Sequence, residues 1–478
     1  MLRVHPRSSE VVPPETAWRR WCGKLYRVSP AYYFLLLTVP FGLFLVFVLP
    51  PGQGLDEINH FYRAYTISEG SFVAVHHDGR VGGYVPTCVS AYITRISHEA
   101  VNPPVRLADM MTSDSCKPAS LHFDPFENTA YESPVPYLPQ AAAIWVGRMA
   151  NLPVFAIFYM GRIAALLIYV ALVFVAIRVA PVGRVILALI GAWPMAVIEA
   201  AIYSADTITT AIAVLFVALI LRARQQSSWP LLMFTGLASL VLALSKDTYV
   251  ILTPLMWLLP TPKEVDKALY GYAKATAITL AIGISGAWVW QVKDISETAW
   301  FPPGMINAGR QITDIKNHPL WYVTFIVRCL LEDPTASWFT WRSFVAQVGF
   351  FPNPSRGTTV APVWAMITGY MVLILAYVRA FGECVSWSMR GVLLAAVPTL
   401  VTLINVVLIF TAVYVESTAF RTAPIMAGRY LLPLVAVPLL SLALLSRCWD
   451  EKPVVMTYAP WIVAIYVWVV MRAIGLYY

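Results

Sequence analysis

Apolar runs of membrane-spanning length recur from Ala31 to the C-terminus, separated by short segments that gather Lys and Arg. A bilayer core is crossed by roughly 20 apolar helical residues. Nine runs read as spans: Ala31–Leu49, Val154–Ile177, Val185–Ile202, Ala205–Leu221, Ala275–Trp290, Val363–Val378, Val392–Phe410, Tyr430–Leu445 and Val454–Val470. Pro230–Leu244 and Tyr249–Leu259 are short and read as a tight hairpin turning at Ser245-Lys246-Asp247, because one long span would bury Lys246 and Asp247 at mid-membrane. That makes 11 spans. Tyr137–Met149 is shorter, runs into Asn151-Leu152-Pro153, and reads as a re-entrant or interfacial helix. Pro319–Leu331 is ambiguous between a span and a surface helix. The pattern predicts an all-α polytopic membrane protein.

The positions of Lys and Arg orient it, since short cytoplasmic loops carry the excess. Six of the 34 Lys and Arg precede Ala31, so the leader of residues 1–30 is placed in the cytoplasm. The remainder, residues 31–478, forms one membrane domain with extracytoplasmic segments at 50–134 and 291–362. Between Pro50 and Glu132 ten acids face five Lys and Arg, in a chain that is basic overall. Six short inner segments hold 17 of the 34 basic residues. The long first apolar run and the lack of a small-x-small site after it argue against a cleaved signal.

Composition agrees: 59% of residues are hydrophobic and 13% charged, against about 25% charged in soluble domains. The net charge of +8 is scattered over loops, not gathered on a stripe, which argues against a nucleic-acid partner. No CxxC pair or zinc spacing occurs among the six cysteines. Cys88 and Cys116 both fall in the first outer segment, where an oxidising compartment would join them.

The segment after the first span carries the most chemistry. Pro50-Pro51-Gly52 ends the span, and Asp56 can N-cap a helix running to about Glu69. Asp56, His60 and Arg63 then stand at i, i+4 and i+7 on one face. A capped amphipathic helix explains one acid in a first turn, but not an adjacent Asp56-Glu57 pair followed by His and Arg. Lys246 and Arg429 fall at outer ends of spans, where cations either snorkel to the interface or meet a lipid headgroup. Asp206 begins a span and serves equally as a helix cap or a site residue. His76-His77-Asp78 has no matching ligand nearby and reads as a solvated loop more readily than a metal site.

An acidic pair opening a large outer loop resembles the GT-C superfamily of polyprenol-dependent glycosyltransferases. Tyr131-Glu132-Ser133-Pro134-Val135-Pro136-Tyr137 is similar to the Pro-rich approach to that superfamily's interfacial helix, and Gly161-Arg162 to the Arg of its second span. Leu244-Ser245-Lys246-Asp247 resembles its Thr-Lys-Gly turn, with Asp247 a departure, and Gly428-Arg429-Tyr430-Leu431-Leu432-Pro433 resembles its Arg-Tyr-x-x-Pro span. More narrowly, Asp56-Glu57-x-x-His60-Phe61-x-Arg63-Ala64-Tyr65, Pro194 with Ser204-Ala205-Asp206, and Gly428-Arg429-Tyr430 together resemble one bacterial family of predicted membrane proteins of unknown function.

The resemblance implies an inverting glycosyltransferase. It would move a sugar from a polyprenyl-phosphate carrier to a cell-envelope glycan or lipid acceptor, at the outer face of a bacterial plasma membrane. In such a reaction Asp56 would be the carboxylate base. Glu57 would orient the acceptor or, with Asp56, hold a divalent cation such as Mg or Mn. Lys246 and Arg429 would meet the donor phosphate, and His60, Arg63 and Asp206 would bind substrate. A transporter or flippase of the lipid-linked glycan and a glycan polymerase are the competing expectations. The absence of internal repeats weighs against a transporter.

Overall fold

The computed structural model describes residues 29–101, 104–112, 120–296, 307–333, 335–349, 359–381, 388–418, 420–445 and 455–478. All but the end of the leader, and Cys116, lie outside these. Helix α1 (Pro30–Val48) leads into α2 (Glu57–Ser68), then β1 (Val75–His77), β2 (Arg80–Pro86), α3 (Thr87–Val101) and β3 (Leu121–Pro125). Next come α4 (Leu138–Met149), α5 (Val154–Val179), α6 (Arg184–Gly191), α7 (Pro194–Ala200), α8 (Asp206–Gln225) and α9 (Trp229–Ser245). After a 3₁₀ segment (Asp247–Leu258) follow α10 (Lys267–Gln291), α11 (Ala308–Asn317), α12 (Pro319–Leu331), α13 (Ala336–Val345), α14 (Val363–Phe381) and α15 (Met389–Ser417). A second 3₁₀ segment (Gly428–Leu434), α16 (Pro438–Leu445) and α17 (Val455–Tyr477) complete the chain.

Among the described residues seven helices are long and apolar enough to cross a membrane: α1, α5, α8, α10, most of α15, the Gly428–Leu445 unit and most of α17. The other four predicted spans take shorter forms. The Val185–Ile202 run is not one helix but two, α6 and α7, broken where Pro194, with no N–H to give, follows an extended Trp193. The hairpin forms as predicted around Lys246, but its second arm is 3₁₀, not α. Helix α4 is a short helix, as expected, and packs on α5. Helix α12 has 13 residues, about 20 Å at 1.5 Å per residue, too short for a roughly 30 Å core.

The all-α expectation fails between α2 and α4, where β1, β2 and β3 form an antiparallel sheet in that order. Asp78 (φ 47°) and Gly79 (φ 76°) supply the two left-handed residues of a tight hairpin between His77 and Arg80. His77 meets the Tyr84 ring edge-on and the Phe123 ring at a tilt in that sheet. One sheet face buries Val81 and Val85, while Tyr84 faces out.

Helix α8 is almost wholly buried and packs on α5 and α9, so it forms the centre of the bundle. Helices α10 and α15 keep most of their surface exposed, as suits helices bounded by hydrocarbon. The start of α8, the α1–α2 turn, the α9 hairpin turn and the start of the second 3₁₀ segment converge at one end of this bundle.

Candidate functional site

Asp56 occupies the N-cap position of α2 but makes no capping bond; its backbone is left-handed (φ 55°, ψ 13°). Asp tolerates that conformation better than most residues. Its carboxylate instead meets Arg429, whose Nη2 donates to Asp56 Oδ2 at 2.5 Å. Arg429 is the second residue of the second 3₁₀ segment. Gly428 lies hard against α13: a Cβ there would sit 2.2 Å from Phe344 N and 2.3 Å from Thr340 O. Gly428 N also donates to Ser343 Oγ at 2.9 Å.

Asp206 is the first residue of α8 and likewise makes no cap. Its two oxygens lie 2.6 Å from Lys246 Nζ and 3.2 Å from Arg429 Nε. Lys246, extended between α9 and the first 3₁₀ segment, also lies 3.9 Å from Glu132 Oε1 and 4.5 Å from the centre of the Tyr430 ring. Glu199, on α7, lies 3.9 Å from Arg429 Nε. Four of the residues singled out in the sequence therefore form one chain of ion pairs: Asp56–Arg429–Asp206–Lys246. All four side chains are under one-fifth exposed.

Glu57 turns the other way. Its carboxylate accepts from Arg162 Nε at 2.7 Å and Nη2 at 2.6 Å, and from the backbone N–H of Gly52, Gly54 and Tyr203, each at 3.1 Å. Arg162 completes its fork on the carbonyls of Val46, Leu49 and Pro50. Both side chains are fully buried. Five donors saturate a carboxylate's lone pairs, so Glu57 is a structural clamp tying α1, α2, α5 and the α7–α8 turn, and has nothing left for a substrate. Asp56 and Glu57 face different arginines and do not fit a shared cation. Among the described residues no group of three or more His, Cys, Asp or Glu could hold a metal.

Arg63 is fully buried; its Nη2 donates to the carbonyls of Phe72 (2.8 Å) and Glu132 (2.9 Å), while its Nε and Nη1 have no hydrogen-bond partner among the described residues. His60 Nδ1 lies 2.7 Å from Tyr137 Oη, which in turn donates to Glu132 Oε2. Burial lowers His60 to about 4 in spite of the nearby Asp56 carboxylate. Burial also raises Glu132 to about 7, outweighing the attraction of Lys246.

The residues that sequence reasoning left out of the site are Glu132, Tyr137, Arg162, Glu199 and Tyr430. Glu132 and Tyr137 lay within the Pro-rich run and Arg162 beside Gly161, so a signal was present; Glu199 sits in an apolar stretch that offers none.

A bundle with seven helices fit to cross a bilayer among the described residues, with ion pairs gathered where helices end, defines a polytopic membrane protein. The chain belongs to the predicted membrane protein family DUF2142, which it matches over residues 39–437. That range contains Asp56, Asp206, Lys246 and Arg429. No curated protein and no solved structure matches the chain.

Proposed function

We propose that the protein is an inverting glycosyltransferase of GT-C type in a bacterial plasma membrane. It takes a sugar from a polyprenyl-phosphate carrier and passes it to a cell-envelope acceptor at the outer face. The observation that carries this reading is the Asp56–Arg429–Asp206–Lys246 chain. It brings a carboxylate and two cations from separate parts of the sequence to one set of helix ends.

The chemistry suits such a cluster. The acceptor hydroxyl attacks the anomeric carbon, the sugar–phosphate C–O bond breaks, and the lipid phosphate leaves with the electron pair. The leaving group gains negative charge, which fixed cations stabilise best in a partly enclosed site. Lys246 and Arg429 supply them, held by Asp206 and Asp56 until a phosphate takes over those contacts. Asp56, the more exposed of the two carboxylates in the chain, accepts the hydroxyl proton.

Two observations support the outer face. The Lys and Arg distribution puts all four residues at predicted outer ends of spans. Cys88, in the first outer segment, is disulfide-bonded, as an oxidising compartment allows.

The test is replacement of Asp56 by Asn in cells lacking the native copy, with equal membrane levels confirmed. Loss of a sugar from the surface glycan supports the reading, and an unchanged glycan contradicts it. One feature favours a transporter instead: two 3₁₀ segments and an extended Lys246 border the cluster, and broken helices of this kind flank transport sites. Under that reading deletion leaves lipid-linked sugar stranded on the cytoplasmic side.

A further inference from the structure

The line from His60 through Tyr137 to Glu132 has two self-consistent hydrogen arrangements. His60 is 5% exposed, Tyr137 0% and Glu132 8%, so water does not complete their bonding freely. An ionised Glu132 only accepts. Tyr137 then donates to Glu132 Oε2, and its oxygen accepts from His60 Nδ1–H. That leaves Nε2 of a neutral ring unprotonated, and no described residue bonds it. With Glu132 protonated, every bond reverses. The acid donates to Tyr137, Tyr137 donates to Nδ1, and the ring hydrogen stands on Nε2. The two states differ by one proton, which enters at Nε2 and ends on Glu132, with the ring neutral in both.

We infer that His60, Tyr137 and Glu132 form a proton relay that drains the acceptor's proton from Asp56 and stores it on Glu132. The inference rests on the transferase reading. His60 stands in the first turn of α2, its backbone N–H donating to the Asp56 carbonyl at 3.1 Å, and the Asp56 carboxylate is near enough to act on its ring. As the acceptor oxygen bonds to the anomeric carbon, its proton passes to Asp56 and from there to Nε2. The Nδ1 hydrogen moves to the Tyr137 oxygen, and the original phenol hydrogen moves to Glu132 Oε2. Asp56 is again a carboxylate, and the proton leaves Glu132 by the reverse route after product departs.

The surroundings favour this over an imidazolium. Besides Tyr137, His60 faces Asp56, Asp206, Lys246 and Arg429. Burial prevails and keeps the ring neutral down to about pH 4. Glu132 faces Lys246, Asp206 and Arg63 as well as Tyr137, and holds its proton up to about pH 7. Burial raises the Tyr137 phenol far above its ordinary value, so it passes hydrogen without ionising.

The test needs no substrate. Ring-¹⁵N histidine spectra of the full chain in nanodiscs, with His60 assigned by its loss in His60→Gln, are followed from about pH 5 to about pH 8. The expected ring is neutral throughout, with hydrogen on Nε2 below about pH 7 and on Nδ1 above it. Tyr137→Phe and Glu132→Gln each abolish that exchange. Should Tyr137→Phe not fold, the conservative Glu132→Gln carries the test. A His60 that becomes imidazolium near its ordinary value overturns the relay. So does one tautomer at every pH, or an exchange that persists in a folded variant. Because the readout is independent of transfer, a failed relay leaves the Asp56→Asn result standing, and an unchanged glycan in Asp56→Asn leaves the tautomer result standing.

Discussion

Arg429 Nη2 lies 2.5 Å from Asp56 Oδ2, joining residues 373 positions apart in the chain. The same guanidinium reaches Asp206 through Nε at 3.2 Å. Lysine, a single point charge, cannot serve both acids with one fork. Arg429→Lys is therefore expected to fold yet lose at least about tenfold in transfer, or about 1.4 kcal/mol. Arg429→Met leaves buried acids uncompensated and should cost about 3–5 kcal/mol of stability. Thermal unfolding in detergent beside the glycan assay checks both. Full activity in Arg429→Lys would remove the two-acid role.

Glu57 and Asp56 are neighbours with opposite expected phenotypes. Glu57→Gln breaks the fully buried pair with Arg162 and should destabilise by about 3–5 kcal/mol. A double-mutant cycle of Glu57→Gln with Arg162→Met should show strong coupling, because each single change strands a buried partner. Asp56→Asn, whose carboxylate keeps 16% exposure, should shift unfolding far less and act on transfer. Equal loss of stability in Glu57→Gln and Asp56→Asn would contradict this division.

Gly428 places Arg429. A methyl group there meets the α13 backbone at 2.2–2.3 Å, and backbone cannot step aside as a flexible side chain can. Gly428→Ala should push the 3₁₀ segment off α13 and cost about 1–3 kcal/mol, typical of overpacking. Transfer should fall with it. A variant with wild-type melting and activity would show that the close approach is not required.

The pH dependence has a definite sign for each of two buried groups. Glu132, raised by burial from 4.5 to about 7, binds more proton when folded, so its contribution to stability falls as pH rises through that window. His60, lowered by burial from 6.5 to about 4, binds less proton when folded, so its contribution rises as pH rises from about 4 to 6.5. The two oppose each other in the wild type. Glu132→Gln should expose the rising slope and His60→Gln the falling one, each up to about 1.4 kcal/mol per pH unit. Melting curves from about pH 4.5 to about pH 7.5 decide it; parallel profiles for the two variants would contradict the assignment.

Much of the bundle was legible because hydropathy reports composition over a helix length. It could not see the break at Trp193-Pro194, since the apolar run continues straight through it. The small sheet had one clear mark, Asp78-Gly79, but its strands are short and glycine-bearing, with weak alternation. Asp56, Asp206, Lys246 and Arg429 stood out as charges at the ends of spans, and the fold brings them together. Glu57 parts from Asp56 because Asp56 precedes the helix on a left-handed backbone that turns the two carboxylates apart, and no local pattern marks Arg162, 105 positions away, as its partner. The stretch holding Glu132 and Tyr137 was visible only as a Pro-rich run.

The most direct measurement of the central claim is the mass of the surface glycan in cells carrying only Asp56→Asn protein at wild-type membrane levels. The account predicts a glycan lighter by a sugar, matching the deletion strain, with the lipid-linked donor retained on the outer face. A glycan indistinguishable from wild type would contradict Asp56 as the base.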